Sequence, residues 1–198
     1  MSDGLQDENG ISIENQISKD SSTINNINNQ NITYVFPEDR VIRFYEEDIK
    51  RIIICFSKEI DNICNNISED VDFMNIPLLE IKNCLNNLSS DYFENIKEVH
   101  MQYFYKIDNF LKDPKNKQYL KMYMNTINEL KLKITSCRND YDKFDRIFIV
   151  LYDYTVNNHK DEISSDRDLI FAFLHFMYCN CDIGKRCKEE MIKNDKTT

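Results

Sequence analysis

The chain has 198 residues, 41% of them hydrophobic and 30% charged, with a formal net charge of −9. A chain of this size suits one domain, or one domain plus a tail, and buries roughly two-thirds of its surface without a disulfide or metal staple. Its acidity withholds the broad positive field that drives binding to nucleic acid or to an anionic membrane surface, so neither is expected as a partner.

Residues 1–33 are mostly Asn, Ser, Asp, Gln and Ile, with no aromatic residue. Asp3, Asp7, Glu8, Glu14 and Asp20 against Lys19 give this stretch −4, leaving −5 of the −9 for the rest. Too little apolar surface is present to offset chain entropy, so a disordered acidic, Asn-rich tail is expected here. From Tyr34 onward Phe, Tyr, Leu and Ile become dense, and residues 34–198 read as a helical domain.

The first predicted helix follows Pro37 and spans 38–67. Glu38 and Asp39 occupy a first turn where the helix dipole favours anions. Ile42, Tyr45, Ile49, Ile52, Phe56, Ile60, Ile63 and Ile67 recur three or four apart, close to a heptad, which offers as an alternative a structural subunit that pairs through this helix. The second helix begins near Pro77, with Leu78, Ile81, Leu85 and Leu88 as its apolar face. The third opens at Asp91-Tyr92-Phe93-Glu94, a capping-box pattern, and carries Phe93, Ile96, Val99 or His100, Tyr103, Ile107 and Phe110. Asp113 then caps a fourth helix with Pro114 in its first position, striped by Leu120, Tyr123, Ile127, Leu130, Ile134 and Cys137.

The fifth helix lies near 140–157 and carries Phe144, Ile147, Phe148, Leu151 and Thr155. Its segment 146–152 is β-branched and aromatic enough for a strand; helix is chosen because no partner strand is evident. The sixth begins at Ser164 or Ser165. Its run Leu169–Cys179 is apolar all round, which marks a central helix. Gly184 reads as the left-handed stop of this helix, and 185–194 as a short charged resumption. The fold expected is all-α: a single compact bundle of about six helices behind a disordered tail.

The glycines are Gly4, Gly10 and Gly184. Phosphate-cradling loops need clustered glycine, so Walker, Rossmann and kinase-type loops are excluded; GxSxG and HExxH are also absent. The apolar run Leu169–Cys179 is about half the roughly 20 residues a membrane helix needs, and the first ten residues lack a signal peptide's basic start and apolar stretch. A cytosolic location is therefore expected, with the seven cysteines (55, 64, 84, 137, 179, 181, 187) as free thiols.

The cluster His175, Cys179, Cys181 and Cys187 is the one arrangement that suggests a metal- or thiol-dependent enzyme. Its single Cys-x-Cys falls short of zinc-knuckle spacing, and the plainer reading is buried thiols and a core histidine. His159-Lys160-Asp161-Glu162 reads as a solvated turn, and His100 as a core-edge residue. Aromatic surplus is more informative. Phe104 and Tyr105 fall outside the packing stripe of the third helix, and Tyr119 and Tyr123 lie on the next. Together they form the candidate partner-binding groove. The expected function is an adaptor or scaffold domain that binds a partner protein or amphipathic helix. No cofactor is called for.

Overall fold

The computed structural model describes residues 41–63, 76–159 and 161–186. The expected acidic tail, the first turn after Pro37, the stretch 64–67 and the charged resumption 187–194 lie outside the described residues. So do Cys64 and Cys187. Among the described residues every regular element is helical and none is a strand. The helices are α1 (Glu47–Glu59), α2 (Ile76–Asn86), α3 (Ser90–Asn95), α4 (Met101–Lys112), α5 (Lys117–Cys137), α6 (Phe144–Asn158) and α7 (Arg167–Cys179). A π-helical turn, Ile96–His100, joins α3 to α4 in one rod, so the bundle has six rods. None of these helices is long and apolar enough to cross a membrane.

α7 is the centre. Every residue from Leu169 to Cys179 is buried except Phe171, as an all-round apolar helix requires. Phe173 meets Phe56 of α1 edge-on at 5.3 Å, and Phe176 meets Phe104 of α4 at 5.7 Å. Tyr178 packs on Phe144 and Phe148 of α6 at 4.9 and 5.5 Å. Edge-to-face pairs of this kind add stabilisation beyond area burial. The segment 146–152 lies inside α6, whose buried Ile147, Phe148, Val150 and Leu151 lie along the helix. α5 buries Tyr123, Ile127, Leu130 and Ile134 as their spacing predicts.

The first helix is shorter than expected. Residues 41–45 are not helical: Ile42 and Phe44 are buried while Arg43 and Tyr45 are exposed. That is a period of two, not 3.6. The Tyr45 N–H donates to Glu129 of α5 (3.1 Å) and Lys133 donates to the Arg43 carbonyl, which holds this stretch along α5. The helix starts at Glu47, where Glu47 and Asp48 supply first-turn carboxylates. Its apolar residues Ile49, Ile52, Ile53 and Phe56 are wholly buried within the domain. Over the described residues the apolar face expected to pair therefore packs within the domain, and the helix itself spans Glu47–Glu59 in place of the expected 38–67. The turn at 159–162 exposes Asp161 and Glu162 as expected, with Lys160 outside the described residues. It is tied to α1, since Lys50 bridges Glu47 (2.7 Å) and Glu162 (2.8 Å).

Two helix ends follow the Schellman pattern, in which a left-handed residue lets two N–H groups reach back to orphan carbonyls. After α2, Asn87 (φ 52) and Leu88 donate to Cys84 and Asn83. After α7, Cys181 (φ 62) and Asp182 donate to Tyr178 and Met177. The stop of α7 is therefore Cys181, not Gly184. Gly184 (φ 82) lies three residues further on, where the chain passes under α2.

Candidate functional site

The aromatic groove expected from Phe104, Tyr105, Tyr119 and Tyr123 is not an open surface. Phe104 is 0% exposed. Tyr123 is also buried, its hydroxyl donating to Asp182 (2.6 Å). Tyr105 and Tyr119 are half-buried, and Tyr119 lies against Phe110 at 5.6 Å. The cause is the π turn. The Met101 N–H reaches the Ile96 carbonyl, five residues back. One inserted residue rotates the remainder of the rod by about 100°. The buried stripe runs Phe93, Ile96, Met101, Phe104, Ile107, Phe110, so Phe104 enters the core and Tyr103 moves to its edge. The rod's start also differs from the expected capping box. Ser89 is the N-cap, and its backbone N–H and hydroxyl donate to Asp145 of α6 at 3.1 and 2.6 Å.

The histidine–cysteine cluster separates into unlike parts. His175 Nε2 lies 3.1 Å from the Tyr92 hydroxyl and its Nδ1 lies 3.0 Å from His100 Nδ1, so both ring nitrogens are engaged. Cys179 is buried, and burial pushes its thiol up to about 12, so it stays protonated. Cys181 is the left-handed cap residue. Among the described residues no group of three or more His, Cys, Asp or Glu is placed to hold a metal. Of the metal or thiol reading of His175, Cys179, Cys181 and Cys187, the described residues show the imidazole engaged by Tyr92 and His100 and the Cys179 thiol buried; Cys187 lies outside the described residues.

What the π turn builds instead is a pocket of about 270 Å³ lined by Tyr92, Ile96, Val99, His100, Phe171 and His175, among others. Two imidazoles facing nitrogen to nitrogen share one proton, since one must donate and the other accept. Burial holds His175 well below the usual imidazole range, with neighbouring His100 as a second cause. Burial also lowers His100, against an opposing pull from Asp168. Imidazoles of the unfolded chain titrate near ~6.5. Below that value the unfolded state takes up protons that the fold refuses. Stability is thus full above pH ~6.5 and falls toward the depressed folded values, by up to about 1.4 kcal/mol per pH unit per histidine. Urea unfolding at about pH 7.5 and about pH 5.5 reads this as a lowered midpoint. His100→Gln, which removes one titrating ring, flattens the dependence; an unchanged slope would sink the assignment.

α2 inverts its expected polarity. Its buried residues are Leu79, Lys82, Asn83 and Asn86. Lys82 is 0% exposed; its ammonium donates to the Tyr178 carbonyl (2.5 Å) and lies 4.5 Å over that ring. Tyr178 in turn donates to Asn83 (3.1 Å). Asn86 donates to the Lys185 carbonyl (3.0 Å) and accepts from the Lys185 N–H (2.8 Å). Buried polar groups cost several kcal/mol unless they are paired, and here they are paired with one another and with backbone. The outward face holds Ile81 (45% exposed) and Leu85 (43%), four apart, with Cys84 exposed and Leu78 partly so. A helix with apolar residues outside and polar residues inside presents a surface complementary to another apolar helix.

Residues 38–184 match the family model of C-terminal domain 12 of the ABC-three component (ABC-3C) systems. No curated protein and no solved structure matches the chain. The matched span takes in all seven helices and ends on Gly184, the glycine packed beneath α2. Over about three-quarters of its length, the chain belongs to the family of C-terminal domain 12 of the ABC-three component systems.

Proposed function

We propose that this chain is an adaptor or scaffold domain that takes an amphipathic helix of another component of its ABC-three-component system on the outer face of α2. The observation that carries the reading is the inverted polarity of α2. Ile81 and Leu85 are held in solvent by a buried polar seam, although Lys82 and Asn83 beside them would suit the surface better. Membership in a multicomponent family supports a role in protein assembly. The free thiols and the lack, among the described residues, of a membrane-crossing helix support work in the cytosol.

The test is binding by co-expressed components of the same system. Ile81→Asp with Leu85→Asp lowers affinity by about a hundredfold, since a central apolar anchor contributes about 2 kcal/mol or more. Outward substitutions away from buried features shift stability by only about ±0.5 kcal/mol, so the thermal midpoint stays near that of the parent. Unchanged co-purification of the double variant, with α2 still helical, rejects the α2 face as the docking surface.

A further inference from the structure

The underside of α2 borders a second cavity, of about 340 Å³, which neither the family nor the docking face assigns. Lys131 and Thr135 come from one face of α5 and Arg138 from the turn that follows it, at spacings of four and three. Asn139, Lys185 and Asn86 add polar walls, and Ile134 and Phe144 an apolar one. Two lysines and an arginine thus border one cavity, and no Asp or Glu does, in a chain of net charge −9. Among the described residues, Lys131, Arg138 and Lys185 make no ion pair.

Arg138 is held rigidly. Its two terminal nitrogens donate to the Tyr141 and Asn86 carbonyls, at 2.6 and 2.7 Å, and its guanidinium lies 5.8 Å over Phe144. Its Nε is buried with no hydrogen-bond partner in the fold. Backbone carbonyls thus fix the guanidinium in place while no carboxylate among the described residues neutralises it, and a carboxylate entering the cleft meets that uncompensated charge. Gly184 keeps the floor low, because a Cβ there would come within 3.1 Å of Asn86 and of Tyr178.

From this geometry we infer that the cleft between the C-terminal half of α5 and the underside of α2 binds an acidic peptide segment of a protein partner, through its carboxylates. The occupant follows from charge and from the single aromatic present. A nucleotide base needs an open ring face for stacking. Phe144 has none: it is fully buried between Phe148 (5.0 Å), Tyr178 (4.9 Å) and Arg138. Nucleic acid further needs a positive field wider than one cleft. At physiological salt, charges beyond about 8 Å are screened, so the three local cations outweigh the distant net charge. A short run of Asp or Glu fits that range.

The measurement is fluorescence anisotropy on the whole chain. The probes are a short peptide of alternating Glu and Ala, the same peptide with Lys for Glu, and a single-stranded oligothymidylate, each with an uncharged dye. The Glu peptide binds, the Lys peptide and the oligonucleotide do not, and affinity falls as salt rises. Lys131→Glu with Lys185→Glu leaves the Asn86 hydrogen bonds in place, because Lys185 makes them through its backbone. This variant weakens the Glu peptide by about tenfold or more, as removal of close charge pairs does. Arg138→Lys, which loses the planar fork, gives a smaller loss. The Ile81→Asp, Leu85→Asp protein binds the Glu peptide as the parent does, which separates this site from the docking face. No binding of the Glu peptide, equal binding by the double reversal, or equal binding of the oligonucleotide overturns the inference.

Discussion

Phe56→Ala lowers the unfolding free energy by about 3–5 kcal/mol, a third or more of what a domain of this kind possesses. Phe56 is wholly buried and stands edge-on to Phe110 at 5.5 Å and to Phe173 at 5.3 Å. One ring therefore joins α1, α4 and α7. Its removal forfeits the transfer free energy of the side chain, leaves a cavity that rigid rods cannot close, and breaks two edge-to-face pairs worth about 0.5–1.5 kcal/mol each. Phe56→Leu, which keeps most of the volume, costs less than half as much. Urea unfolding monitored by far-ultraviolet circular dichroism reads the change as a shift in midpoint at constant slope. A loss below about 1.5 kcal/mol for Phe56→Ala would mean that α1 is not seated on α7 through this ring.

Gly184→Ala costs about 2–5 kcal/mol although it adds one methyl group. Two causes add. At φ 82 an L side chain crowds its own carbonyl, which costs about 1–2 kcal/mol. The new Cβ also meets Asn86 Oδ1 and Tyr178 Cε2 at 3.1 Å and Phe144 Cε2 at 3.3 Å. All three neighbours are buried, so none swings aside, and overpacking costs about 1–3 kcal/mol. The thermal midpoint falls by roughly 5–15 °C for a chain of this size. Cys181, also left-handed, tolerates a side chain because it lies partly exposed at the helix end. A Gly184→Ala protein that melts with the parent would show that the chain does not pass close under α2.

Spacing in the sequence located α5, α6 and the central α7, because their neighbours bury most of the apolar residues that periodicity selects; Leu120, at the start of the α5 stripe, stays exposed. It failed at α2 for a physical reason. Periodicity assigns the apolar side inward, but Lys82, Asn83 and Asn86 find buried partners on Tyr178 and Lys185, some 95–99 residues away. No local pattern encodes those partners. It failed on the third rod because residue types do not announce a π turn; one extra residue moved Phe104 from the expected surface to the core. The pairing of His100 with His175 spans 75 residues and was equally hidden. The signal that was available was negative: a histidine inside an otherwise apolar helix needs a partner. The Schellman close of α2 was legible in Asn87, a residue that adopts the left-handed region readily, whereas Cys181 gave no such hint.

The seam beneath α2 has a thermodynamic consequence. Unfolding raises heat capacity in proportion to the hydrocarbon newly wetted, while wetting of polar groups lowers it. Separation of α2 from the bundle hydrates an ammonium and several amides along with Leu79 and the Tyr178 ring, a more polar surface than the all-apolar core around α7. Such an opening has a small heat-capacity change and a shallow response to urea, unlike global unfolding. Amide exchange along α2 then proceeds through an excursion that denaturant scarcely promotes, while exchange in α7 follows the whole domain.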